Sequence, residues 1–384
     1  MYKIKTLNKI AACGTDLFDK AKYEVSDSIE SPDAVLVRSA SMHDMDFEEN
    51  LLAIARAGAG VNNIPVADCA EKGICVFNTP GANANAVKEL AVLGLLISSR
   101  KVAEAIDWAK GLKGNGAEVG KMVEKGKSQF VGPEIMGKTL GLVGLGAIGG
   151  KLANVAVSLG MKVIGYDPFL SVNAALQLKP QVTVVKDVDE VYKNADYISL
   201  HLPFNAETKG SVNADVFAKM KDGARLLNFA RGELVDTPSL LAALESGKLA
   251  KYVTDFPNDE VIGVDGVVAI PHLGASSPES EDNCAVMASN ELIDYIENGN
   301  IVNSVNYPNV ELNKTGDVML CIMHKNVPEF ISKITAVISK DGANIENFVH
   351  KSKGEYAYSM IDITGSVDVE ALKAVDDVIR VRAL

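Results

Sequence analysis

The chain has 384 residues, 47% hydrophobic and 23% charged, with 50 acidic against 38 basic side chains and a formal net charge of −12. That length fits two or three folded domains, and the composition fits packed cores rather than extended disorder. The acidic balance excludes a nucleic-acid surface, which needs clustered Lys and Arg, but leaves room for a small anion held by two or three local cations.

Five cysteines (Cys13, Cys69, Cys75, Cys284, Cys321) are odd in number and never form a CxxC pair. This points away from a disulfide framework or a zinc site and toward a reducing cytosol, with no metal expected. No stretch approaches ~18 consecutive apolar residues, and the opening MYKIKTLNKI lacks the apolar core of a signal peptide. No membrane partner is expected, and a cytoplasmic location is.

In chain order, Ala34–Arg38 and Ile74–Phe77 read as buried strands, while Leu51–Ala57 between them has helical composition and runs into GAGVNN. The alternation predicts βα architecture on a parallel sheet. Arg100–Gly137 is charged, interrupted by glycines and holds the only tryptophan, Trp108; it reads as a surface arm or a subunit contact. A second series begins near Lys138. Its strands are Thr139–Val143, Lys162–Tyr166, Tyr197–Leu200, Arg225–Asn228, Tyr252–Thr254 and Val267–Ile270, with helical segments such as Pro238–Glu245 between them. That rhythm predicts a doubly wound sheet.

After Asn309 the pattern restarts. Val318–Met323 reads as a strand, Val327–Ser339 as a helix, Asn344–Ile363 as a hairpin turning near Gly354, Val369–Val375 as a helix and Val378–Ala383 as a strand. This is a βαββαβ unit. The expected class is therefore α/β: two doubly wound, Rossmann-like parallel-sheet domains plus a small C-terminal βαββαβ domain. The expected boundaries are a discontinuous substrate domain at 1–86 and 272–312, a dinucleotide-binding domain at 87–271 and a terminal module at 316–384. Crossings near Ala86 and His272 can act as hinges.

The clearest chemical signal is Gly144-Leu-Gly146-Ala147-Ile148-Gly149 between a strand and a helix. The first glycine makes the turn, the second lets the backbone approach a pyrophosphate, and the third brings helix and strand together below the helix amides. A lone GxGxxG is weak evidence. Here the second strand ends in Asp167, 23 residues after Gly144. An acid at that distance accepts ribose hydroxyls and repels a 2′-phosphate, favouring NAD over NADP.

Three polar residues follow successive strands: Arg231 in NFARGELVD, Glu260 in TDFPNDE and His272 in IPHLGAS. Loops leaving the C-terminal edge of such a sheet converge on its ligand. An arginine can grip a carboxylate through two parallel hydrogen bonds. A histidine can take a hydroxyl proton as hydride leaves the carbon, and a carboxylate on its other nitrogen favours the imidazolium. Each type also has an ordinary structural use: a surface ion pair for Arg231, a turn residue for His272, a solvated acid for Glu260. His201 in SLHLP is a second strand-end histidine and a rival base.

At these segments the chain resembles the D-isomer-specific 2-hydroxyacid dehydrogenases, and within them the branch that oxidises D-3-phosphoglycerate and carries a C-terminal ACT module. RAGAGVNNI at 56–64, FNTPGANANAVKEL at 77–90, GKTLGLVGLGAIG at 137–149, LLNFARGELVD at 226–236 and PHLGASSPESEDN at 271–283 carry the resemblance in order. It implies that Arg231, Glu260 and His272 form the catalytic set, that Asp255 holds the nicotinamide carboxamide, and that Pro203 and Ala230 line the cofactor. It implies substrate contacts from Arg38, Gly60, Val61 and Asn83, with Arg38 on a phosphate or carboxylate. The family usually reads Asp-Val-Phe before the acid, and this chain reads Asp255-Phe256-Pro257; a one-residue slip would select Asp259 instead of Glu260.

In the terminal module the resemblance implies an amino-acid effector site at His324, Asn326 and Asn344. The usual Pro-Gly at its first helix is Pro328-Glu329 here, which crowds a pocket that needs close backbone approach. A homodimer or homotetramer is implied as well. The expected reaction is NAD-dependent oxidation of a phosphorylated 2-hydroxy acid. The alternatives are a glyoxylate or hydroxypyruvate reductase and a non-catalytic NAD-sensing protein.

Overall fold

A computed structural model describes residues 1–384. The chain divides into two compact units, Met1–Asn83 with Pro278–Leu384, and Ala84–Ser277. These crossings lie a few residues from Ala86 and His272. Residues 316–384 fall in the same unit as the N-terminal sheet rather than in one of their own.

The first unit opens with a parallel sheet of β1 (Tyr2–Leu7), β2 (Tyr23–Ser26), β3 (Ala34–Val37), β4 (Ala53–Arg56) and β5 (Cys75–Asn78), in spatial order β2-β1-β3-β4-β5. The segment expected to be helical, Leu51–Ala57, is β4. Its AIAR is rich in good helix formers, but seven residues make a marginal helix. Flanked by β3 and β5 and buried at Ala53, Ile54 and Ala55, the segment gains more from ladder pairing than from its propensity.

The second unit holds a seven-stranded parallel sheet: β6 (Thr139–Val143), β7 (Lys162–Tyr166), β8 (Val182–Val184), β9 (Tyr197–Leu200), β10 (Ala224–Asn228), β11 (Leu249–Thr254) and β12 (Val267–Ala269). The order is β12-β11-β10-β9-β6-β7-β8. The direction of winding reverses between β6 and β9, and that switch point opens a crevice at the strands' C-terminal ends. The central strands β6 and β9 are nearly continuous apolar runs, buried on both faces. Arg100–Gly137 folds into helices Val102–Lys110 and Val119–Gly126, with Trp108 packed on Phe130 at 5.4 Å between ring centres.

The terminal sheet is antiparallel: β13 (Val318–Lys325), β14 (Asn344–Lys353), β15 (Tyr356–Thr364) and β16 (Val378–Ala383), in order β14-β15-β13-β16. Strand β13 is buried from Met319 to His324, and its alternation separates two cores. Met319, Cys321 and Met323, with Tyr358 and Met360 of β15, join the cluster that contains Tyr295 and Ile296. Leu320 and Ile322 face Phe330, Ile334 and Ile338 of the following helix. Arg382 of β16 donates to the Tyr295 and Ile296 carbonyls at 2.9 and 2.6 Å. Those carbonyls lie near the C-terminus of helix Pro278–Asn298, where a cation suits the helix dipole. The small sheet is therefore sandwiched and not free on one side.

Candidate active site

The GxGxxG loop follows β6 at the switch point. Gly144 has φ +100°, and a Cβ there would lie 2.4 Å from the His201 carbonyl oxygen. A Cβ on Gly149 would lie 2.1 Å from the Gly144 oxygen, so the helix Ala147–Ser158 can approach the strand only through glycine. Gly146 is the opposite case. It caps that helix, nothing lies within 4 Å of its would-be Cβ, and Ala147 beside it is exposed. The helix amides thus face an open cradle of the kind that accepts a pyrophosphate.

Asp167, just past β7, accepts from the Leu145 and Phe169 amides, both at 2.9 Å. It ties the glycine loop to the next strand while keeping lone pairs open to further donors. Ile148 is half-buried on the helix, and Pro203 is exposed with its carbonyl held by Thr208 Oγ1 at 2.7 Å. His201 lies under the loop, where its Nε2 meets Ser199 Oγ at 2.9 Å. Burial pushes its pKa down to about 4, which leaves the ring neutral and packed beneath Gly144. It is a poor candidate for the base.

Strands β10, β11 and β12 are neighbours, and their C-terminal ends bring three sequence-distant segments together. Asn228 fixes the first: its Oδ1 accepts from the Ala230 and Arg231 amides at 3.2 and 3.3 Å, and its Nδ2 donates to the Arg231 carbonyl at 2.8 Å. The Arg231 guanidinium, anchored on the Ala230 carbonyl at 2.6 Å, stands 5.4 Å from the Phe256 ring centre. The same ring lies 4.4 Å from the exposed His272 imidazole.

Asp255 sits behind this group, 1% exposed, and neither carboxylate oxygen has a well-formed hydrogen bond. Burial raises its pKa, against the opposing influence of His272, the Gly274 N–H and Arg231. A buried, unsatisfied carboxylate is costly, and an amide donor from a ligand would satisfy it. The open glycine cradle, the strand-end Asp167 and this orphaned carboxylate together fit a nicotinamide dinucleotide.

Glu260 and the rival Asp259 lie exposed in the turn after Phe256 and make no ion pair with His272. The carboxylate that feels the charge of His272 in this geometry is Asp255. Phe256 and Asn228 escaped the sequence reading. The DFP departure marked the place of Phe256, but only the fold shows its two partners.

In the other unit, Arg38 follows β3 and is ion-paired with Glu281 at 2.6 Å. Arg56 at the end of β4, which opens RAGAGVNNI, donates from Nε to the Arg38 carbonyl at 3.0 Å and steadies the strand end that carries Arg38. Gly60, Val61 and Asn83 are half-buried in loops after β4 and β5. Asn78 Nδ2 donates to the Ala59 carbonyl and steadies the first of these loops.

His324, Asn326 and Asn344, expected at an effector site, are not gathered together within the chain. His324 is 1% exposed and stacked on Phe330 at 3.5 Å, with Nδ1 on the Lys325 carbonyl and Nε2 on Ser359 Oγ. Asn326 is bonded to the Gly354 carbonyl. Asn344 pairs with Thr364, whereas His324 pairs with Ala357. Seven residues of strand separate those partners, about 24 Å. Glu329 takes the glycine position with φ +64°.

Residues 94–274 match the family model of the D-isomer specific 2-hydroxyacid dehydrogenase NAD binding domain. Over 275 residues the chain is 39% identical to hydroxypyruvate reductase of Thermotoga maritima, covering 68% of this chain and 83% of that one. It is 33% identical over 352 residues to D-3-phosphoglycerate dehydrogenase of Escherichia coli K12, covering 88% and 82%. The NAD+-bound crystal structure of 3-phosphoglycerate dehydrogenase from Entamoeba histolytica superposes with a TM-score of 0.60 at 27% identity, over 79% of this chain and 98% of that one. The chain belongs to the D-isomer-specific 2-hydroxyacid dehydrogenases and is an NAD-dependent oxidoreductase.

Proposed function

We propose that the chain oxidises D-3-phosphoglycerate to 3-phosphohydroxypyruvate, the first step of serine synthesis, as a cytoplasmic homodimer or homotetramer. The observation that carries this reading is the meeting of Arg231, Asp255 and His272 at adjacent strand ends in an NAD-binding sheet, in a chain similar to a phosphoglycerate dehydrogenase over 88% of its length.

In this reading the Arg231 guanidinium holds the substrate carboxylate in a two-pronged grip and polarises the C2 oxygen. His272 accepts the C2 hydroxyl proton as the C2–H bond breaks. Bound NAD supplies the acceptor for the hydride. Asp255 orients the carboxamide of that cofactor, while Gly144, Gly146, Ala147, Ile148 and Gly149 cradle its pyrophosphate, with Asp167 on the ribose and Pro203 and Ala230 as walls. Arg38, Gly60, Val61 and Asn83 are assigned to the substrate, with Arg38 on its phosphate. Glu260 is assigned as the acid that serves His272 once ligands are bound, and Asp255 is the carboxylate available without them. For the terminal module, an ACT-type effector role would need His324, Asn326 and the Asn344 of a second copy.

A second reading, reduction of hydroxypyruvate or glyoxylate, is favoured by the 39% identity to the Thermotoga maritima reductase. Steady-state rates on D-3-phosphoglycerate, D-glycerate, hydroxypyruvate and glyoxylate separate the two. NADH formation from D-3-phosphoglycerate with the highest kcat/KM supports the first. Turnover of unphosphorylated acids alone refutes it.

A further inference from the structure

A cleft of about 470 Å³ opens in the first unit where the β14–β15 hairpin meets the end of β5 and the segment 303–309. Eight residues line it: two lysines, three asparagines, two serines and a proline, with no acid among them. On a chain with 50 acidic and 38 basic side chains, a cleft of purely cationic and neutral lining stands out.

Lys351 and Lys353 are two apart on the edge strand β14, so their stems leave the same side. Lys353 donates to the Ser304 carbonyl at 2.9 Å, and burial lowers its pKa. Neither lysine has a carboxylate partner among the ion pairs of the chain. Both lysines are exposed, and the Lys353 ammonium, shielded only where it meets that carbonyl, is left without a counter-charge. Asn303 is fixed from behind by Glu291 at 2.8 Å, and Ser352 and Asn309 are exposed at the mouth.

We propose that this cleft is a binding site for a small phosphomonoester, separate from the residues assigned to the reaction. Two ammonium groups match a phosphomonoester dianion, which carries about −1.5 to −2 charges near neutral pH. Ser352 and Asn309 at the mouth offer hydroxyl and amide donors for its remaining oxygens, while Asn78, Asn303 and Ser304 already donate to Ala59, Glu291 and Asn306. The binding claim does not depend on which hydroxy acid the enzyme oxidises.

The test is calorimetric titration of the full chain with inorganic phosphate, at ionic strength held constant with potassium chloride. Wild type, Lys351→Glu, Lys353→Gln and Arg38→Ala are compared. Lys351 is exposed, so its variant folds even where loss of the Lys353 hydrogen bond costs stability. Saturable binding that weakens at least tenfold in Lys351→Glu and Lys353→Gln, and persists in Arg38→Ala, is the expected result. No saturable heat in wild type, or unchanged affinity in both lysine variants, overturns the site. Loss of all binding in Arg38→Ala with none in the lysine variants also overturns it, and assigns the phosphate to the substrate residues instead.

Discussion

The Phe256 ring lies 4.4 Å from the His272 imidazole, and its face is also 5.4 Å from the Arg231 guanidinium. One aromatic side chain therefore touches both groups assigned to the acid grip and the proton transfer. A valine, which the family resemblance leads one to expect here, would offer neither a cation–π face nor the same reach. Phe256→Val should lower kcat/KM about two- to fivefold, the scale of one partly exposed cation–π contact. Phe256→Tyr should stay near wild type. Equal activity in Phe256→Val would mean that the ring is only filling space.

Arg38 is held by Glu281 through an ion pair whose side chains are 42% and 43% exposed. Such exposed pairs contribute at most about 1 kcal/mol, so the pair is a weak competitor for a substrate anion. Glu281→Gln should lower KM for a phosphorylated hydroxy acid about two- to fivefold, with kcat and the melting temperature little changed. An unchanged KM would remove Arg38 from phosphate recognition.

Glu291 lies 8% exposed on helix Pro278–Asn298, with one oxygen on Asn303 and the other without a partner. Burial pushes its pKa from an ordinary 4.5 up to about 8. Between those values the folded chain holds a proton that the unfolded chain has released, so this group's contribution to stability is complete below pH 4.5 and is lost as pH rises to 8. Glu291→Gln should therefore melt several degrees above wild type at pH 8 and close to it at pH 4.5. Parallel melting curves for the two proteins across that window would contradict the assignment.

Glu329 has φ +64° at the start of helix Phe330–Lys340. A non-glycine residue in the left-handed region costs about 1 kcal/mol. Glu329→Gly should recover about 0.5–1 kcal/mol in denaturant unfolding, less the entropy that glycine adds to the unfolded chain. Glu329→Ala should recover none of it. The same substitution tests whether the glutamate backbone is strained for lack of a glycine or is held there by its neighbours.

Much of the sheet that binds the cofactor was legible in the sequence. The glycine loop, Asp167 and the strand ends at Arg231 and His272 are local signals, each written in a few adjacent residues and read by periodicity. Strand β4 was not legible, because AIAR has helical propensity and its identity is set by neighbours 19 and 22 residues away. Phe256 gave only an oddity of motif, since its partners come from other strands. The burial of Glu291 and the grip of Arg382 on the Tyr295 and Ile296 carbonyls depend on packing of distant segments. His324 matched an effector pattern by residue type, yet both ring nitrogens and a ring face are already taken within the chain. Residue identity does not report whether a side chain is already satisfied.

His272 acting as proton acceptor beside the NAD-binding sheet is the step on which turnover depends. Its most direct test is NADH formation from D-3-phosphoglycerate by His272→Ala, with NADH affinity measured on the same protein. Turnover reduced at least a hundredfold with NADH binding unchanged is the predicted result. Undiminished turnover in a variant that still binds NADH would contradict it.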